Sequence, residues 1–219
     1  MGLKLVVILV VLGLFAAAIA AIHRANRPSP QRLPAAPPPE GPSLDEQIAE
    51  LARAGLHLSP GVTRADIIDF GPEETYRGDP WRLLLLTYSI PVDRPPHPPF
   101  CPRACLLQTD GFDSLQDYAE AVAELSRVAE VPCEVTVSDD LHLRFAETDL
   151  NLAPRIGTGQ IDRDILRMIL TALTDRMPGD SGLFALDNFP QIAVFHLEKA
   201  GFDRIDTLAP DLLSADPLH

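Results

Sequence analysis

The side chains best suited to metal or thiol chemistry are His97, Cys101 and Cys105, set in the run His-Pro-Pro-Phe-Cys-Pro-Arg-Ala-Cys, with Cys133 and His142 further along the sequence. Structural zinc takes four nitrogen or sulfur ligands in a tetrahedron, and Cys-x3-Cys falls within the spacing such sites use. One cysteine pair supplies half of that set, and the prolines around it resist folding the loop back on itself. No metal, cofactor or catalytic residue is therefore assigned, and His97, Cys101, Cys105 and Cys133 stand as the candidate ligands. In an oxidising compartment Cys101 and Cys105 would close a small disulfide and leave Cys133 odd, whereas a reducing one leaves three ordinary thiols. A redox pair of the Cys-x-x-Cys type needs one residue fewer between its sulfurs. Cys133 heads an apolar strand face and is expected as a buried small hydrophobe.

Other motifs carry less. Gly179-Asp180-Ser181-Gly182 spells the tetrapeptide around the nucleophile of chymotrypsin-like proteases, but that triad needs paired β-barrels with an early His. Here Ser181 follows a helical stretch, so the four residues read as a turn. The acid pairs Asp162 and Asp164, Glu73 and Glu74, and Asp110 and Asp113 are what a chain rich in carboxylates produces by chance, and Asp162 suits the first turn of a helix. Gly157-Thr158-Gly159 lacks the preceding strand that a phosphate loop requires, and His57 and His196 sit in apolar surroundings as core or boundary histidines.

What positions these groups begins with the leader. Leu5 to Ile22 are eighteen uncharged residues, followed at once by His23, Arg24 and Arg27. As a helix this run rises about 27 Å, close to the hydrocarbon thickness, and reads as a single transmembrane anchor over residues 1–22. The alternative is a signal segment with Ala18-Ile19-Ala20 as its cleavage triplet, against which Arg24 and Arg27 would stand at the mature start. Positive charge after the span exceeds that before it by one, which favours a bacterial inner-membrane protein with its domain on the cytoplasmic face, the exported orientation being the other outcome. Residues 23–42 are a linker: seven prolines between Arg27 and Pro42 forbid helix and sheet, and as polyproline II this stretch spans roughly 50 Å.

Residues 43–219 form the folded part, long enough for one core without staples. The first 42 residues carry four basic and one acidic side chain, leaving 14 basic and 30 acidic, a net −16 within the total of −13. Such a domain cannot neutralise phosphates, so nucleic acid is excluded as a partner, and it is repelled by an anionic lipid surface. It would attract a basic protein, although net charge serves solubility just as well.

Along the domain, Ser43 and Glu46 make a capping box for a helix that Gly55 ends, and Thr63 caps a second from Arg64 to Phe70. Trp81 to Ile90 is continuous enough for a buried central strand, with a helix fitting the periodicity nearly as well. Cys105 to Thr109 is a further strand, and Asp113 or Ser114 caps a helix with Leu115, Tyr118, Val122, Leu125 and Ala129 on one stripe. Cys133, Val135 and Val137 alternate against Leu141, Leu143 and Phe145, which requires a three-residue loop, Ser138 to Asp140, with Asp140 left-handed. Leu150 to Gly159 is irregular. Ile161 to Met177 is a helix with Ile165, Met168, Ile169, Ala172 and Leu173 inward, Leu183 to Leu186 a short strand, and a last helix opens near Asn188 and closes at Gly201. The expected fold is α+β, a mixed or antiparallel sheet of about five strands with helices packed on it.

Ser-Pro-Gly-Val-Thr at 59–63, Asp-Pro-Trp-Arg-Leu-Leu-Leu-Leu at 79–86, the Asp117–Leu125 segment and Ala193–Phe202 together resemble an uncharacterised group of small bacterial α+β proteins. That resemblance implies a bacterial origin and a sheet-and-helix domain, and brings no assigned activity; the leader and the Cys-Pro-Arg-Ala-Cys loop depart from it. The sequence therefore points to a membrane-tethered, non-catalytic binding or regulatory domain that masks a basic protein partner. A thiol, disulfide or metal protein centred on His97, Cys101 and Cys105 is the first alternative, and an envelope enzyme of unrecognised class the second.

Overall fold

Reciprocal hydrogen bonds between Ser43 and Glu46 open the first helix of the computed structural model, which describes residues 41–146 and 148–215. The chain divides into two units, 1–38 and 39–219, and every described residue belongs to the second. The expected transmembrane anchor or signal segment over 1–22, and the linker as far as residue 40, lie outside the described residues. Among the described residues no helix is long and apolar enough to cross a membrane.

The elements run α1 (Leu44–Arg53), α2 (Arg64–Phe70), α3 (Glu73–Gly78), α4 (Arg82–Tyr88), β1 (Ala104–Gln108), α5 (Leu115–Ala129), β2 (Glu134–Val137), β3 (Leu141–Arg144), β4 (Asp149–Leu152), α6 (Arg163–Thr174), β5 (Ser181–Asn188), β6 (Gln191–Glu198) and α7 (Lys199–Leu208). This is α+β, but the single sheet of about five strands is corrected to two antiparallel three-stranded sheets, β1-β6-β5 and β2-β3-β4.

Two segments account for the difference. Trp81 to Ile90 is not a central strand: Trp81 has φ 67°, which turns the chain out of extended geometry, and Arg82–Tyr88 then form α4 with Leu84, Leu85 and Tyr88 fully buried. The turn is held by Gln47, itself fully buried, whose Oε1 accepts from the Trp81 amide at 3.1 Å while its Nε2 donates to the Tyr76 carbonyl at 2.9 Å. Conversely, the segment expected as the last helix is strand β6, because Phe189 and Pro190, joined by a cis bond, form a hairpin turn between the paired Asn188 and Gln191 instead of a helix start. The helix begins only at Lys199, and Gly201 lies inside it rather than closing it.

The β1-β6-β5 sheet is buried on both faces, which is why its strands read as continuous apolar runs. Ala104, Phe184, Leu186, Ala193, Phe195 and Leu197 face a core built with α1, α4 and α7, while Cys105, Leu107, Leu183, Ala185, Ile192 and Val194 face a second core with α5 and α6. The helices therefore cover both faces, and α5 packs against β1 and β6 on one side and β2 and β3 on the other. Both sheet edges are blunted: Arg127 donates to the carbonyls of Pro102 and Ala104 beside β1, and Ser214 exchanges two 2.8 Å hydrogen bonds with Ala185 on β5.

In the second sheet the expected register holds, with Val137 opposite Leu141 and Val135 opposite Leu143 across a three-residue turn. Asp140 keeps a negative φ; the amide of Ser138 donates to the Asp140 carbonyl and closes the turn without a left-handed residue there. Asp149–Leu152 is a strand where irregular chain was expected, and Met168, expected inward on α6, is 45% exposed.

Candidate functional site

The four candidate ligands do not meet. Cys101 is fully buried in the core under α4, and Cys105 is buried in the opposite core, because Cys105 and Ala104 alternate across the sheet that separates the two. Cys133 is half-buried just before β2, beside the second core. His97 lies exposed in the proline loop at φ 58°, its Nδ1 3.1 Å from the Val92 carbonyl, and His142 places its Nε2 3.0 Å from the Ser138 hydroxyl. All three cysteines are free thiols, and among the described residues no group of three or more His, Cys, Asp or Glu side chains is placed to hold a metal. Burial pushes the Cys101 thiol up to about 11 and the Cys105 thiol up to about 12, so both stay protonated at neutral pH and are poor nucleophiles or ligands.

The remaining sequence motifs have structural roles. Ser181 is the first residue of β5, opposite Glu198. Asp162 caps α6, accepts from the Arg155 Nε at 2.8 Å, and is held down to about 2 by that guanidinium. Glu73 pairs with Arg64. His196 is buried and donates from Nδ1 to the Val128 carbonyl at 3.0 Å; burial and Arg103 lower its pKa.

What the sequence did not single out is a recess of about 350 Å³ between the end of α2 and the proline loop. Its floor is Val92 and Phe100, both buried, and the Phe70 ring stands over Phe100 edge-to-face with centroids 6.5 Å apart. Phe70 is 55% exposed, a large apolar side chain presented to solvent. Asp66, Asp69 and Asp93 surround it. Arg94, the one cation lining the recess, is committed: its Nε sits 2.8 Å from Asp66 and its Nη2 donates to the Gly61 carbonyl at 2.7 Å. That bond and the capping contacts at Thr63 hold the Asp66 carboxyl far below the usual range. Asp69 and Asp93 carry no ion pair among the described residues, so the recess combines an aromatic edge with two uncompensated carboxylates.

The larger groove, about 1110 Å³, runs beside Cys133 between the end of α5, β2 and the end of α6. Its charges are locally balanced: Arg144 lies 3.4 Å from Glu134 and Arg176 stacks over the Phe145 ring at 4.1 Å with its Nη1 donating to the Ala172 carbonyl. A sequence signal for the aromatic recess did exist in Phe70, a bulky residue at the last position of a short helix before Gly71-Pro72, where no further turn can cover it.

No protein-family model, no curated protein and no solved structure matches this chain.

Proposed function

We propose that this chain is a non-catalytic binding or regulatory domain that takes up a basic protein partner, and that the recess of Asp69, Phe70 and Asp93 receives a Lys or Arg side chain of that partner. The apolar segment 5–22 would hold it at a membrane. What carries the reading is charge complementarity at one place: two carboxylates without an internal cation flank an exposed aromatic ring, which is the combination a cationic side chain uses through ion pairing and cation–π attraction together. The surrounding charge supports it. Among the described residues ten basic side chains lie within ion-pair distance of an internal carboxylate, so few are left to offset the domain's 30 acidic against 14 basic residues.

Titration of the full-length chain with a fluorescent Lys-rich peptide tests the reading. Binding should weaken steeply as salt rises, since exposed charges are screened beyond about 10 Å at 0.1 M ionic strength. It should also shift the amide resonances of Asp69, Phe70 and Asp93. Peptide binding that is insensitive to salt, or that leaves these resonances in place, contradicts it. Membrane fractionation of the full chain with and without residues 5–22 tests the tether.

A further inference from the structure

A third pocket has the opposite character to the aromatic recess. It measures about 400 Å³ and lies between the C-terminal end of α1 and the first turn of α7, with Arg53, His57, Arg103 and Arg204 among its lining residues and Glu198 as its one acid. In a domain of net charge −16, the walls of this cavity sum to +2 with His57 neutral. Three separate stretches of chain deliver the cations: α1 and the turn after it, the loop before β1, and α7.

The cations are held rather than loose. Glu50, outside the lining of this pocket, binds Arg53 and accepts from the Arg204 Nε at 2.8 Å, fixing both guanidinium groups through one carboxylate. Arg103 is different: its nearest acid is Glu130, itself 62% exposed, at 3.8 Å, beyond hydrogen-bond reach. Its five donors therefore have no close acceptor among the described residues. The Arg103 Nη1 lies 3.9 Å from where a Cβ on Gly55 would stand, which places the guanidinium at the turn after α1, and the φ of +93° at Gly55 suits glycine. Close approach of α7 to α1 requires Gly201, where a Cβ would come within 2.2 Å of the Ala54 carbonyl oxygen. Ala200 and Gly201, in the first turn of α7, line the same pocket.

We infer that this pocket binds a phosphate group, with Arg103 as the principal ligand and Arg53 and Arg204 completing the cationic wall. A tetrahedral dianion offers several oxygens to guanidinium donors arriving from different directions, and the planar guanidinium fork matches phosphate geometry. The domain's acidity does not forbid this, because distant charges are screened within about 10 Å and the lining decides locally. The phosphate could be carried by a soluble phosphomonoester or by a lipid headgroup, and these sources are separable.

The test is a titration of the full-length chain with inorganic phosphate, read by amide resonances and run against potassium chloride at matched ionic strength. Saturable shifts at Gly55, Ala200 and Gly201 with phosphate alone are expected. Arg103→Gln should weaken binding by about tenfold or more, the loss typical of a charge-assisted contact. Ala200→Asp gives a second variant that keeps the fold, since Ala200 is exposed and an acid suits the first turn of a helix, yet it places a carboxylate against the anion. It should abolish the shifts. Glycerol 3-phosphate competing while phosphatidate vesicles do not would assign a soluble source, and vesicles competing would assign the headgroup. No saturable shift, the same shifts with chloride, or undiminished binding by both variants overturns the inference.

Discussion

The Nδ1 of His196 lies 3.0 Å from the carbonyl oxygen of Val128, 68 residues away, joining the end of β6 to the last turn of α5. A carbonyl only accepts, so Nδ1 carries a proton, and when the ring is neutral it is the Nδ1–H tautomer. Val128 is one of the last-turn carbonyls of α5 that has no partner within its own helix, and the imidazole supplies one.

The arrangement gives a pH dependence of definite sign. Burial and the nearby Arg103 lower the His196 pKa below its usual 6.5, outweighing the hydrogen bond to the Val128 carbonyl and the charges of Glu130 and Glu198, which act the other way. The unfolded chain therefore takes up the proton more readily than the native one. The contribution of His196 to stability is complete above the unfolded value of 6.5 and declines as the pH falls below it, until the native ring also protonates. Denaturant midpoints measured between pH 7.5 and 5.5 should fall on acidification, and His196→Gln should flatten that slope while lowering the midpoint throughout. A slope unchanged by the substitution contradicts the assignment.

Gln47 is predicted to be among the least replaceable polar residues. Replacing it by Leu would strand the Trp81 amide and the Tyr76 carbonyl in the core, at a cost of about 2 kcal/mol or more. Equilibrium unfolding in urea measures it. A loss below about half a kcal/mol, the range of neutral surface changes, would show that the Trp81 turn does not depend on this side chain.

Gly201→Ala separates helix propensity from packing. In an exposed helix the change stabilises by about 1 kcal/mol. Here the new methyl carbon would meet backbone, the Ala54 carbonyl oxygen, at 2.2 Å, and no flexible side chain can move aside. Destabilisation on the order of 3 kcal/mol is expected, so the sign alone of the measured change decides the matter.

Thiol labelling should be sharply graded. Cys133 is partly exposed, while Cys101 and Cys105 are fully or almost fully buried with thiols raised by burial to about 11 and 12. A maleimide reagent should modify one cysteine in the native protein and three after denaturation. Rapid native labelling of Cys101 or Cys105 would contradict the two-core arrangement.

Where a helix carries its own start signal, the sequence is a good guide: Ser43 with Glu46 forms the reciprocal cap its spacing implies, and of the two candidates Asp113 and Ser114 it is Ser114 that caps α5. The hairpin register between Val135 and Leu143 was equally legible, because one buried face admits only one pairing. Strand β6 was not legible, since burial of both its faces erases alternation and leaves Ile192 to Leu197 indistinguishable from a core helix by period. The division into two sheets depends on long-range pairing of β1 with β6, which no local pattern announces. The cysteines show the same limit at the site: Cys101 and Cys105 are near in sequence, yet the sheet passing between them sends them to different cores. The aromatic recess is assembled from α2 and the proline loop, and only their packing brings Asp69 and Phe70 to Asp93.

The most direct measurement compares two neutralised variants of equal net charge. Asp69→Asn with Asp93→Asn removes both recess carboxylates, whereas Glu74→Gln with Glu120→Gln removes two acids elsewhere on the surface. If the recess receives a cationic side chain, affinity for a Lys-rich peptide should fall at least about tenfold in the first variant, with Phe70→Ala following it, and much less in the second. Equal losses in the two charge variants would mean that the peptide responds only to the net charge of the domain, and the proposed binding site would be wrong.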